Sequence, residues 1–145
     1  MTTEERLFSA EKRLFSAEER LFSAEERLFF SQWPQLIGLY EALLARLTAA
    51  HPDTVRKVSK TQISFYNRHL FAMVSLPVKR KKDWPKEFLL VTFGLEHPLD
   101  APRIAARTEP YPNRWTHHVL LESPEQIDGE LLRWLDEAYG FAREK

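Results

Sequence analysis

The chain has no cysteine and only four glycines among its 145 residues. A disulfide framework, a thiolate nucleophile and any cysteine-based zinc or iron–sulfur site are therefore excluded. Gly38, Gly94, Gly129 and Gly140 stand far apart, so no loop can bring successive bare backbone amides around a phosphate, as a P-loop or a dinucleotide fingerprint does. An excess of one charge is also missing. The 21 Lys+Arg balance 21 Asp+Glu, and the chain as a whole lacks the basic character of a bulk nucleic-acid packer. Any electrostatic function has to be local. No run approaches the ~18 apolar residues of a membrane span, and the N-terminus opens on charged residues in place of a basic patch followed by an apolar core. The expectation is a cytoplasmic chain with no membrane partner.

Familiar catalytic patterns are absent too. His51, His69, His97, His117 and His118 include no His-Glu-x-x-His and no pair four apart. Ser59, Ser64, Ser75 and Ser123 lie in no Gly-x-Ser-x-Gly elbow. A restriction-type nuclease would need an acid two positions before a strand lysine, and Val55 and Val58 occupy those places before Lys57 and Lys60. No catalytic residue, metal or cofactor is assigned on this basis.

What is present is enough apolar material, 43% of residues with 12% aromatic, for one domain with a core of ordinary size. The chain opens on a heptad repeat. Arg6-Leu7-Phe8-Ser9-Ala10-Glu11-Lys12 recurs almost unchanged from Arg13 and Arg20, with Glu19 and Glu26 in the place of Lys12, and Arg27-Leu28-Phe29 begins a fourth copy. With Leu7, Leu14, Leu21 and Leu28 at position a and Ala10, Ala17 and Ala24 at position d, the period predicts a helical extension over 1–25. Residues 6–30 could then join chains weakly. Small alanines at every d position, and Phe8, Phe15 and Phe22 lying outside the seam, suit passenger copies of a recent tandem duplication equally well.

Over 26–145 the pattern predicts a single α+β domain, a mainly antiparallel sheet of four to five strands with an N-terminal and a C-terminal helix. Leu36, Tyr40, Leu43, Leu44 and Leu47 mark a helix after Pro34 that stops at His51-Pro52. Ile63 and Phe65 alternate with polar residues as in a half-buried strand, and Asn67-Arg68-His69 suits a hairpin into a second strand. Phe88 to Leu95 reads as a central strand and Trp115 to Leu121 as another. The stretch from His97 to Asn113 holds four prolines and reads as irregular. Ser123-Pro124-Glu125-Gln126 reads as the capped start of a terminal helix.

Two constellations remain. From Thr54 to Lys82 there are eight cations and no acid. Strand alternation sets Lys60, Gln62 and Ser64 opposite Ile63 and Phe65, with the loop cations Lys79, Arg80, Lys81 and Lys82 at the rim. Such a surface could receive phosphate or carboxylate, or could be a solvated sheet face. The second runs from Glu109 to His118. Its two prolines stiffen a stretch presenting Glu109, Arg114, His117 and His118, the histidines on opposite sheet faces. Glu109 and Arg114 could instead close the loop as an ion pair.

Lys60 to Phe65, Lys81 to Pro85, Leu89 to Leu95 and Thr108 to His118, with the terminal helix, resemble a bacterial domain-of-unknown-function family numbered 5655, over roughly Glu26 to Arg143. The resemblance implies a small α+β domain, found alone or beside modules of nucleic-acid metabolism, with no established activity. The leading expectation is a non-catalytic module binding an anionic small molecule or nucleic-acid phosphate. A small enzyme using His117 or His118 with Glu109 and Lys60, and an interaction protein joined through the repeat, stay open as alternatives.

Overall fold

The computed structural model describes residues 23–78 and 81–144. The expected heptad helix lies outside them up to residue 22, as do the loop cations Lys79 and Arg80. The chain is an α+β domain with one antiparallel sheet. Its elements are α1 (Ala24–Phe29), a 3-10 turn (Pro34–Leu36), α2 (Ile37–Ala50), β1 (Val55–Val58), β2 (Gln62–Asn67), β3 (His69–Ser75), β4 (Leu89–Leu95), β5 (Ile104–Tyr111), β6 (Arg114–Leu121), a second 3-10 turn (Pro124–Gln126) and α3 (Gly129–Glu144). The strand order is β1-β2-β3-β4-β6-β5, every neighbour antiparallel.

Leu39, Tyr40, Leu43, Leu44 and Leu47 of α2 fall at spacings of three and four and are all buried. Leu131, Leu135, Ala138, Tyr139 and Ala142 do the same on α3. These stripes meet one parity of the sheet: Ile63 and Phe65 on β2, Val74 on β3, alternate residues Leu89 to Leu95 on β4, and Val119 and Leu121 on β6 form one cluster with them. A bulge opposite Phe65 and Tyr66 gives β3 an extra residue. Phe71 thereby joins the core and meets Tyr139 edge-on, ring centroids 5.4 Å apart. The opposite parity forms the second face of the sheet, which the helices leave open.

Two expectations need correction. The sheet has six strands, because two edges were not anticipated: Val55–Val58 forms β1, and residues 104–111, read as irregular, form β5; Pro110 is tolerated there, where an outward N–H would bond nothing. The Ser123 capping box exists, but it closes only the 3-10 turn. Ile127 leaves the helical region at φ −82, ψ 74, and α3 restarts behind Asp128, whose carboxylate accepts the Leu131 N–H at 3.0 Å.

Candidate functional site

Register builds the open face row by row. Lys57 stands opposite Ser64, Ser64 opposite Met73, Met73 opposite Thr92, Thr92 opposite His118, and His118 opposite Ala106. One line of side chains thus crosses the whole sheet at roughly 4.8 Å per strand. Thr92 Oγ1 and His118 Nδ1 share a hydrogen bond at 2.9 Å. Beside them, Gln62 Nε2 donates to Ser64 Oγ at 3.1 Å. Ser64 and Thr92 are buried although no helix covers them.

The loop between β3 and β4 returns over this face. Lys81 lies close enough to act on the His118 charge: burial first, then Lys81, hold the imidazole below its ordinary range. His118 is therefore neutral at pH 7, a donor or acceptor without charge of its own. Lys81 Nζ sits 5.6 Å from the Trp84 ring centroid, and Trp84 meets the fully buried Phe88 edge-on at 5.7 Å. At the other end of the row, Lys57 Nζ stands 4.8 Å over the Tyr66 ring. Strands β1, β2, β3, β4 and β6 contain no aspartate or glutamate. Two ion pairs of the described residues lie on the helix side: Glu26 with Arg56 at 3.3 Å, and Asp128 with Arg103 at 2.8 Å.

The remaining candidates lie elsewhere. Lys60 is not on β2, which begins at Gln62. Ser59-Lys60-Thr61 form the β1–β2 turn, closed by Ser59 N–H to the Gln62 carbonyl at 2.8 Å, and Lys60 borders a groove of ≈ 520 Å³ lined by Leu28, Trp33, Leu76 and Val78. Lys82 is exposed in the loop. Glu109 accepts the Asn113 N–H at 3.1 Å and closes the β5–β6 hairpin in that way, without the expected ion pair to Arg114, which is exposed at the start of β6. His117 faces the helices, as alternation requires. Fully buried, it stacks on Phe93 with centroids 5.2 Å apart, and its Nε2 accepts the Leu99 N–H at 2.9 Å. Burial, followed by the charge of His97, lowers its pKa. Of the ten candidates, then, Gln62, Ser64, Lys81 and His118 gather on the open face, joined by Lys57 and Trp84 and by Thr92, which sequence reasoning did not single out. Cross-strand register, invisible in one strand's sequence, brings Thr92 to His118.

A second cluster also escaped the sequence. His51 at the end of α2 donates to Asp136 Oδ1 at 2.7 Å, lies flat on Tyr139 at 3.8 Å, and Tyr139 donates to Asp53 at 2.8 Å. These contacts clamp α2 to α3. Among the described residues no group of three His, Cys, Asp or Glu side chains could hold a metal ion, and no helix is long and apolar enough to cross a membrane.

No curated protein and no solved structure matches the chain. Residues 26–142, which hold the whole sheet, the open-face row and nearly all of α3, match the domain of unknown function DUF5655, and the chain belongs to that family.

Proposed function

We propose that the protein is a non-catalytic module of the bacterial cytoplasm that binds a phosphate-bearing anion on the open sheet face. One observation carries the reading: five of the six strands have no carboxylate, while Lys81, over the Trp84 ring, is near enough to act on the charge of His118 and Lys57 lies at the far end of the same row. An arriving anion would find cations not already neutralised from the strands below, with the half-buried Gln62 and His118 as short-range hydrogen-bonding groups, each held by a buried hydroxyl (Ser64 and Thr92), and Trp84 as an apolar wall. The enzyme alternative is less well supported, since its four members are spread over the helix-facing side (His117), the open face (His118), a distal hairpin (Glu109) and a turn (Lys60).

Thermal shift with inorganic phosphate, a nucleoside monophosphate and a short single-stranded oligonucleotide tests the proposal, because a ligand that binds only the folded state raises its melting temperature. Stabilisation is expected at low salt, weaker at high salt, and reduced in Lys81→Ala and His118→Gln. A gain with the oligonucleotide alone would identify a polymer ligand; equal gains would identify the phosphate group. No gain with any anion refutes the reading.

A further inference from the structure

Residues 96–103 connect β4 to the edge strand β5, and side chains hold the middle of this connector. Both backbone groups of Leu99 are engaged. Its N–H donates to His117 Nε2 at 2.9 Å, its carbonyl accepts from Arg107 Nη1 at 2.5 Å, and its side chain packs against the core. The two ends are clamped separately. His97 meets the Glu137 carboxylate of α3 at 2.6 Å, while Arg103 donates to Asp128 at 2.8 Å and to the Gln126 carbonyl at 2.7 Å.

His117 can serve Leu99 only as a neutral ring. Its Nε2 accepts with a lone pair, so the one proton of the neutral imidazole sits on Nδ1. A second proton turns Nε2 into a donor, and two N–H groups then point at each other across 2.9 Å. The ring is fully buried and stacked on Phe93, whose other face neighbour is Trp134 of α3. Little around it favours a charge. His97 of the connector, Arg107 of β5 and the adjacent His118 oppose one, and of the groups acting on the ring the Phe93 carbonyl of β4 alone favours it. Glu137 of α3 is paired with His97, and the connector's own acids, Glu96 and Asp100, are exposed.

We propose that His117 is an acid-released latch: on taking up a proton it lets go of Leu99, and the middle of the 96–103 connector swings away from the sheet between its two clamps. The clamps outlast the latch. Protonated His97 pairs more strongly with Glu137, since that carboxylate and the Pro98 carbonyl raise its pKa, and Asp128 keeps its charge into acid because the Leu131 N–H and Arg103 hold its pKa down. The opening is therefore hinged and local, and it uncovers the part of the core against which Leu99 packs. It takes place on the helix-facing side of β6 and does not depend on anion binding at the opposite face.

Amide hydrogen exchange of the full-length chain, corrected for the intrinsic pH dependence of exchange, tests the proposal. Protection of Leu99 and its neighbours in 96–103 is expected to fall about tenfold for each pH unit below 6.5, the slope of one proton taken up on opening, while β4 and α3 keep theirs. His117→Gln supplies an oxygen that accepts without titrating, and its connector is expected to stay protected at both pH 7 and pH 5. Nitrogen chemical shifts of the wild-type ring give a second readout that needs no variant: Nδ1 protonated and Nε2 bare at pH 7, with Nε2 gaining its proton as Leu99 loses protection. Unchanged protection down to pH 5, equal loss across β4 and α3, the same loss in His117→Gln, or a proton on Nε2 at pH 7 overturns the proposal.

Discussion

Replacing Tyr40 by Phe removes one oxygen from the interior and keeps the ring that packs on Phe30. The hydroxyl donates to Glu26, and burial together with that carboxylate drives its pKa far above the ordinary tyrosine value, so it keeps its proton throughout the accessible pH range. Deleting it leaves the buried carboxylate with Arg56 and the Ser23 N–H alone. A hydrogen bond to a charged group contributes about 1.5–3 kcal/mol. At about 2.1 cal/mol/K per residue over roughly 120 folded residues, that loss lowers the melting midpoint by about 6–12 °C. Far-UV circular dichroism during heating, with a urea titration to confirm an unchanged m-value, reads it directly. The Tyr40→Phe and Glu26→Ala effects should fall well short of adding, since both remove the same bond. A fall below about 2 °C would refute the reasoning, because α1 would then be held by packing alone.

Two further outcomes follow from the geometry. His117 and His118 both have folded-state pKa values below the ordinary 6.5, so the stability they contribute is complete above about pH 6.5 and is lost as the unfolded chain takes up protons below it. Urea midpoints should fall between pH 7 and pH 5, less steeply in His118→Gln, and a flat profile would show that neither ring is held neutral. His97, held above its ordinary value because the Glu137 carboxylate and the Pro98 carbonyl outweigh burial, contributes in the opposite sense, present below about pH 6.5 and fading above; its solvent exposure keeps that contribution small. Arg68 links β2 to β3 at φ 49, a left-handed conformation that strains a side chain by about 1–2 kcal/mol. After the extra entropy glycine loses on folding, Arg68→Gly should still raise the midpoint by about 2–4 °C, and a lower midpoint would mean that the arginine side chain makes a contribution of its own.

Legibility in the sequence followed position in the sheet. The interior strands β2, β3, β4 and β6 pack against the helices, and their apolar residues alternate or run together accordingly. The edges do not advertise themselves. In β1, Val-Arg-Lys-Val is four residues long and half exposed, and in β5 the run Thr108 to Tyr111 is exposed throughout, so neither carries the periodicity that burial imposes. The same logic divides the site. Alternation within β2 was enough to pair Gln62 with Ser64, and alternation within β6 to send His117 and His118 to opposite faces. Lys60 was misplaced because parity was extended past the end of a strand into its turn. Thr92 went unnoticed because its partner lies 26 residues away in sequence, and only strand order makes the two adjacent.

The outermost position of β5 shapes how the molecule meets its neighbours. A ladder invites further strands wherever a free row of amides and carbonyls is long, flat and regular. This border is long, at eight residues, but it is not regular: its pairing to β6 is irregular at two places, Arg107 turns aside to the Leu99 carbonyl at 2.5 Å, and Pro110 offers no N–H. A strand approaching this border would find a broken template, so the sheet resists extension on its β5 side.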